Sequence, residues 1–118
     1  MNDFEINFFQ LDNGNYPVKE YLNDIDVKMR AKILWTIKLL KTNRNTLGMP
    51  YSEHLQDGIF ELRTKQGNKI SRVLYFFYIG RKIILSHGFT KKTNKFPKEE
   101  IEVAKRYREI YMRRQKGE

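Results

Sequence analysis

The sequence predicts an α+β fold, in which a small antiparallel sheet has helices packed on one face, in the order β-α-α-β-β-β-α. Two patterns predict it: residues 27–43 repeat apolar side chains at helical spacing, and residues 59–91 alternate apolar and polar side chains between turn residues. A chain of 118 residues, 40% of them apolar, can bury one continuous core. We therefore expect one domain over residues 1–118.

The N-terminal third is predicted to form one strand and two helices. "FEINFFQL" (4–11) is β-prone, and the turn residues of "DNGNYP" (12–17) end it. Pro17 suits the first turn of a short helix, and Asp26 suits the N-cap of the next helix, over 27–43. Trp35, on this second helix, is interpreted as a core residue.

Residues 43–58 are predicted to be a loop, and a three-stranded meander and a final helix follow it. The strands are expected at 59–65, 69–79 and 82–91, joined by "QGN" and "GRK". Pro97 starts the last helix, which carries Glu99 and Glu100 in its first turn, where the helix dipole favours anions.

Composition excludes several classes of protein. The chain has no cysteine and two histidines, so disulfides, thiol catalysis and thiolate metal sites are excluded. No carboxylate cluster completes a histidine metal site, so neither a metal nor another cofactor is expected. The N-terminus lacks the pattern of a signal peptide and no apolar run is long enough for a membrane helix, which predicts a cytoplasmic protein without a membrane partner.

The net charge of +9 is concentrated in one half of the chain. Residues 1–60 are nearly balanced, whereas residues 61–118 hold the whole excess of Lys and Arg. This asymmetry favours a nucleic acid or an acidic partner over a merely soluble surface.

Two arginines of the predicted meander are candidates for binding phosphate. Alternation puts Glu61, Arg63 and Lys65 on one side of their strand, and Arg72 can lie beside Arg63 on the neighbouring strand. If helices cover the other face, both guanidinium groups lie on the open face and can each donate two hydrogen bonds to a phosphate. An exposed salt bridge to Glu61 explains the same pattern, and alternation leaves both interpretations open.

The stretch "SHGFTKK" (86–92) ends an apolar strand with four further candidates. Phe89 is either a surface on which a base stacks or a core residue at the strand end. His87 lies deeper in the strand, where a buried, hydrogen-bonded histidine is favoured over a catalytic one. Lys91 and Lys92 point to opposite sides if the strand persists. His54, in the long loop, is a further candidate because loops often carry functional side chains.

Residues Asp57 to Tyr111 resemble the phage-derived, HigB-like branch of the RelE/ParE toxin superfamily. The resemblance rests on three motifs, namely "ELR" (61–63), "RVLYF" (72–76) and "HGFTKKTNKFPKEEIEVA" (87–104). No single motif is specific to that superfamily, but their order and spacing are.

The resemblance implies a RelE-like fold and the toxin of a type II toxin–antitoxin system. Such toxins are metal-independent mRNA interferases that act on messenger RNA in the ribosome, next to ribosomal RNA. They are neutralised by an antitoxin, here of the HigA-like helix-turn-helix kind, and they meet DNA only through that antitoxin.

Site residues are also implied by the resemblance. Arg63 and Arg72 match the sheet arginines that stabilise the phosphate. Lys91 and Lys92 match the paired lysines that serve as general acid or phosphate clamp. His54 is the first candidate for the general base, and His87 is a weaker one. The substrate-binding candidates are Phe89, His87 and Lys65.

Two other functions share this fold. ParE-like toxins inhibit DNA gyrase without cutting nucleic acid, and a non-catalytic RNA- or ribosome-binding module can use the same basic face. The combination of "ELR", Arg72 and two adjacent lysines favours the ribonuclease.

Overall fold

The computed structural model describes residues 4–91 and 95–117. Its elements, in chain order, are β1 Glu5–Phe8, α1 Pro17–Asp24, α2 Val27–Asn43, a short 3-10 helix Arg44–Thr46, β2 Ser52–Gln56, β3 Ile59–Gln66, β4 Lys69–Tyr78, β5 Lys82–Lys91 and α3 Lys98–Gln115.

The strands form one five-stranded sheet in the order β1-β5-β4-β3-β2. The fold class is confirmed as mixed α+β, but the predicted sheet is wrong in two details. The sheet is not wholly antiparallel, since β1 pairs with β5 in parallel. The predicted loop 43–58 contains β2, which forms a hairpin with β3. Asp57 and Gly58 both have positive φ in its turn, a conformation that an Asp-Gly pair favours between two strands.

Helices cover both faces of the sheet, so the expectation of helices on one face is wrong. The helices α1 and α2 pack on the face that contains Val73 and Tyr75. The helix α3 packs through Ile101 and Ala104 on the opposite face, which contains Leu74 and Phe76. Both alternating sets of β4 are therefore apolar, and burying both of them requires a helix on each side.

The predicted helices are confirmed close to their expected positions. Asp26 caps α2, because its carboxylate accepts a hydrogen bond from the backbone N–H of Met29 at 2.8 Å. The buried side of α2 consists of Met29, Ile33, Thr36, Ile37 and Leu40. Trp35 is on the other side of the helix and 55% exposed, so its interpretation as a core residue is wrong.

The packing of α3 leaves one end of its face of the sheet uncovered by helix. The apolar side chains under α3 include Ile59, Leu74, Phe76 and Ile84. Arg63, Arg72 and Phe89 lie further along the same strands, towards the segment 95–97 that leads into α3.

Within the described ranges 4–91 and 95–117, no helix is long and apolar enough to cross a membrane.

Candidate active site

Strand pairing aligns three of the candidate residues in one row. Arg63 of β3 is the direct partner of Arg72 in β4, which in turn is the partner of Phe89 in β5. A second row lies two residues further along the same three strands, beneath α3. In it Glu61 is the partner of Leu74, and Leu74 is the partner of His87. Because side chains two residues apart share a face, both rows lie on the α3 face of the sheet.

Glu61 connects the two arginines. Its Oε2 lies 3.2 Å from Nε of Arg63, and its Oε1 lies 3.3 Å from Nη1 of Arg72. Glu61 is only 2% exposed, and this burial raises the pKa of its carboxyl above the usual value, although the positive charges of Arg72 and Arg63 partly offset the rise. The arginines therefore lie together, and Glu61 is their partner, but its ion pair with Arg72 is buried rather than exposed. Phosphate binding by the two arginines stays a prediction.

Arg72 differs from the prediction in its exposure. The expected open face would expose both arginines, but Arg72 is buried, at 3% exposure. Its Nη1 also donates a hydrogen bond to the carbonyl oxygen of Lys95 at 3.2 Å, so the segment before α3 lies against it. The side chain of Arg63 is 20% exposed, and it is the guanidinium of the pair that a ligand reaches from solvent.

The two arginines line a cavity of about 340 Å³, which we term the arginine cleft. Its lining residues are Glu53, His54, Leu55, Glu61, Arg63, Arg72, Phe96 and Pro97. His54, which belongs to the same β2–β3 hairpin as Arg63, also lines the cleft. Its ring, however, packs on its strand partner Phe60, whose side chain belongs to the α1/α2 face, opposite to the arginines. The cleft has two carboxylates and two guanidinium groups, so it has no excess of positive charge. What makes it a candidate site is the side-by-side placement of the two guanidinium groups.

His54 lies on β2 and is held by its own hairpin. Its Nε2 accepts a hydrogen bond from the backbone N–H of Gly58 at 3.0 Å, and its ring meets Phe60 edge to face at 5.0 Å. The neutral ring therefore carries its proton on Nδ1 in this conformation. To accept a proton at Nε2, the ring has to release Gly58.

His87 is a buried link between β5 and α3. Its Nε2 lies 2.9 Å from Oε1 of Glu100, and its Nδ1 lies 2.9 Å from Oγ of Ser86. Burial lowers the pKa of His87, and the hydrogen bond to Glu100 opposes that change. Both ring nitrogens are occupied, which agrees with the interpretation as a satisfied histidine and leaves no nitrogen of His87 directed at a substrate.

Phe89 is half-buried beside this link. Its ring stacks on the ring of His87 at 5.9 Å, and it packs against the core under α3. Nζ of Lys91 lies 5.9 Å from the centroid of the Phe89 ring. The core and site interpretations of Phe89 are thus both compatible with its position, next to Arg72 and partly accessible.

A second cavity adjoins the arginine cleft across Phe96 and Pro97, which line both. It has a volume of about 400 Å³ and is lined by Lys91, Lys95, Phe96, Pro97, Lys98, Glu99 and Glu100. The predicted partner of Lys91, Lys92, lies outside the described residues. Phe96 is 49% exposed between the two cavities and was not among the predicted site residues. An aromatic residue inside the basic segment "KKTNKFP" is the signal that could have indicated it.

Lys65 does not line the arginine cleft, although it is two residues from Arg63 on the same strand. It is exposed and lines another cavity, together with Trp35 and Tyr51 of the α2 side.

Over residues 4–91 and 95–117, no group of three or more His, Asp or Glu side chains is placed to hold a metal ion.

These features define a small mixed α+β protein with an arginine cleft beside a lysine-lined cavity. Residues 20–109 match the profile of a family described as phage-derived Gp49-like proteins (DUF891), and the chain belongs to that family. The family is associated with the toxins of toxin–antitoxin systems, which agrees with the toxin expected from the sequence and implies an antitoxin partner. No curated protein matches the sequence significantly.

Proposed function

We propose that this protein is the toxin of a type II toxin–antitoxin system, a HigB-like member of the RelE/ParE superfamily whose single RelE-like domain spans residues 1–118. Its activity would be that of a metal-independent, ribosome-dependent mRNA interferase acting in the cytoplasm. The observation that carries the proposal is the pair Arg63 and Arg72, which lie side by side on adjacent strands and are held by Glu61 in a cleft that His54 also lines. To act there, the His54 ring has to turn from Phe60 towards the arginines.

The reaction is a transesterification within the RNA. The ribose 2′-oxygen loses its proton to a base and attacks the adjacent phosphorus, and the bond to the 5′-oxygen breaks as that oxygen takes a proton. The products are a 2′,3′-cyclic phosphate and a 5′-hydroxyl end. The reaction needs a base, a proton donor and positive charge at the phosphorane, in which negative charge accumulates.

The described side chains can be assigned to these tasks. Arg63 contacts the phosphate, because it is the exposed member of the pair, while Arg72 holds Glu61 and the Lys95 carbonyl and so fixes the position of Arg63. His54 is the candidate base. Lys91, with Lys92, is the candidate proton donor or phosphate clamp, and Phe89 offers a partly accessible ring for a base.

One alternative has an observation in its favour. Arg72 is buried and the carboxylates of the arginine cleft balance its guanidinium groups, which is the arrangement that a non-catalytic RNA- or ribosome-binding module would tolerate. Such a module would bind RNA through the lysine-rich segment and leave it intact.

Cleavage of ribosome-bound mRNA, with the new ends mapped, tests the proposal. We expect 5′-hydroxyl ends from the unaltered protein, and a loss of about 100-fold or more in rate for Arg63→Ala, since removing one donor to a developing oxyanion costs about this much. Arg113→Ala is the matched control, because Arg113 is an exposed arginine near the C-terminal end of α3.

Two results would contradict the proposal. In the first, the unaltered protein binds RNA or ribosomes and produces no new ends, which supports the non-catalytic module. In the second, Arg63→Ala cleaves as fast as Arg113→Ala, which removes Arg63 from the site. Circular dichroism and the urea midpoint establish that each variant is folded.

A further inference from the structure

Trp35 is an exposed aromatic residue with a cavity beside it. It projects from α2 at 55% exposure, and its ring meets that of Tyr51 at 6.0 Å and 69°. The cavity, which we term the tryptophan cleft, has a volume of about 310 Å³. It is lined by Lys32, Trp35, Thr36, Pro50, Tyr51, Arg63, Thr64 and Lys65.

The chemistry of this lining suits a single-stranded nucleic acid. The basic residues Lys32, Arg63 and Lys65 line the cleft together with the two aromatic rings, and none of its described lining residues is acidic. Proteins that bind single strands combine such cations, which contact phosphates, with exposed rings on which bases stack. An indole offers a large face for stacking at little cost in conformational entropy, because its side chain has few rotatable bonds.

Arg63 connects the tryptophan cleft to the arginine cleft, since it lines both. Its backbone N–H donates to the carbonyl oxygen of Tyr51 at 2.7 Å, just before β2 begins at Ser52. The pairing of β2 with β3 ends at Leu62, so Arg63 lies at the edge of the sheet just beyond β2. Its guanidinium lies against Glu61 on the α3 face, and the tryptophan cleft reaches the same residue from the α2 side. An RNA strand that has one phosphate at Arg63 can therefore continue towards Trp35.

We propose that the tryptophan cleft is a second RNA-binding subsite, in which an unpaired base stacks on Trp35 and flanking phosphates contact Lys32 and Lys65. The ligand class is single-stranded RNA, so this inference rests on the proposed function for its substrate. It goes beyond the cleavage site, because it extends the substrate path around the edge of the sheet to α2. Lys65, predicted from the sequence to bind substrate, has its place in this subsite.

The protein contains a single tryptophan, so its fluorescence reports on this cleft directly. The probe is a fully 2′-O-methylated RNA oligonucleotide, which binds but cannot be cleaved because the attacking hydroxyl is blocked. We expect a saturable quenching of Trp35 fluorescence on titration. With a dye-labelled oligonucleotide, we expect Trp35→Ala to weaken binding about tenfold and Trp35→Phe to retain most of the affinity, since loss of one stacked base has this order of effect.

Matched variants separate the subsite from general effects. Leu34→Ala removes the neighbouring exposed apolar side chain, which does not line the cleft, and should bind as the unaltered protein does. Lys32→Glu should weaken binding several-fold, whereas Lys38→Glu changes the same charge on the same helix outside the cleft and should have less effect. All four substituted residues are exposed on α2, so all five variants are compatible with the fold.

The outcomes distinguish this inference from the proposed function. Quenching and weaker binding by Trp35→Ala support the subsite even if the protein cleaves no RNA. Normal cleavage combined with unchanged binding by Trp35→Ala overturns the subsite and leaves the interferase intact. Unchanged RNA binding together with weaker antitoxin binding by Trp35→Ala also overturns it, and identifies the cleft as a protein interface.

Discussion

Replacing Arg72 by alanine should reveal how strongly the two arginines are coupled through Glu61. The substitution removes the guanidinium 3.3 Å from Oε1 of Glu61 and leaves a carboxylate that is 2% exposed, with the guanidinium of Arg63 still beside it. At an effective dielectric constant near 20, one such contact is worth about 4 kcal/mol, and breaking a buried pair from one side typically costs about 3–5 kcal/mol. We expect Arg72→Ala to lower the free energy of unfolding by about 3–5 kcal/mol at neutral pH.

The loss should depend on pH in a definite direction. Burial already raises the pKa of Glu61 above its ordinary value of 4.5, and removing the Arg72 charge raises it further. Between 4.5 and that raised value the folded variant keeps a proton that the unfolded chain has lost, so stability falls as pH rises through this window. Below the ordinary pKa both states are protonated, and the penalty from the buried charge disappears.

Urea unfolding followed by circular dichroism, at about pH 4 and pH 8, measures this effect. The comparison is with the double variant Glu61→Gln/Arg72→Ala, which has the same cavity at Arg72 but no carboxylate. We expect the double variant to be more stable than Arg72→Ala at pH 8 and the two to converge at acidic pH. Equal stability of both variants at pH 8 would refute the reasoning, because the Glu61 carboxylate would then carry no penalty without Arg72.

Two further predictions concern packing and association. Gly88→Ala should lower the free energy of unfolding by about 1–3 kcal/mol, because a Cβ there would overlap the ring of Tyr21. Gly48→Ala is the control, because a Cβ at Gly48 would meet no atom within 4 Å. Equal urea midpoints for the two variants would contradict the clash. Antitoxin association should slow several-fold between low and high ionic strength, because salt screens the attraction of the basic half for acidic side chains. Stopped-flow rates independent of salt would count against that attraction.

The arginine pair shows which features of the site a local sequence pattern can predict and which it cannot. Period-2 alternation places Arg63 and Arg72 on one face, and the register of β3 and β4 makes them direct partners. The same pattern also indicated Glu61 as their partner. Alternation does not specify exposure, however, because burial of Arg72 depends on residues 95–97, which reach it only after α3 has packed on the sheet.

Strand β2 and Trp35 were missed for different physical reasons. β2 has few apolar residues and lies at the edge of the sheet, so its pairing with β3 rather than its own side chains defines it. The Asp57-Gly58 turn was the available signal. Trp35 is apolar and lies on an amphipathic helix, where hydrophobicity favoured burial, but the buried side of α2 is already filled by Met29, Ile33 and Ile37.

The sequence by itself determined the helices and four of the five strands, namely β1 and the three strands of the meander. It also determined the uneven charge and the residues that share a strand face. Each of these follows from neighbours within a few positions along the chain. Only the tertiary structure decided that helices cover both faces of the sheet and that Arg72 is enclosed while Trp35 is exposed. These depend on contacts between segments distant in sequence, whose geometry is set by how the helices and the sheet edge pack together.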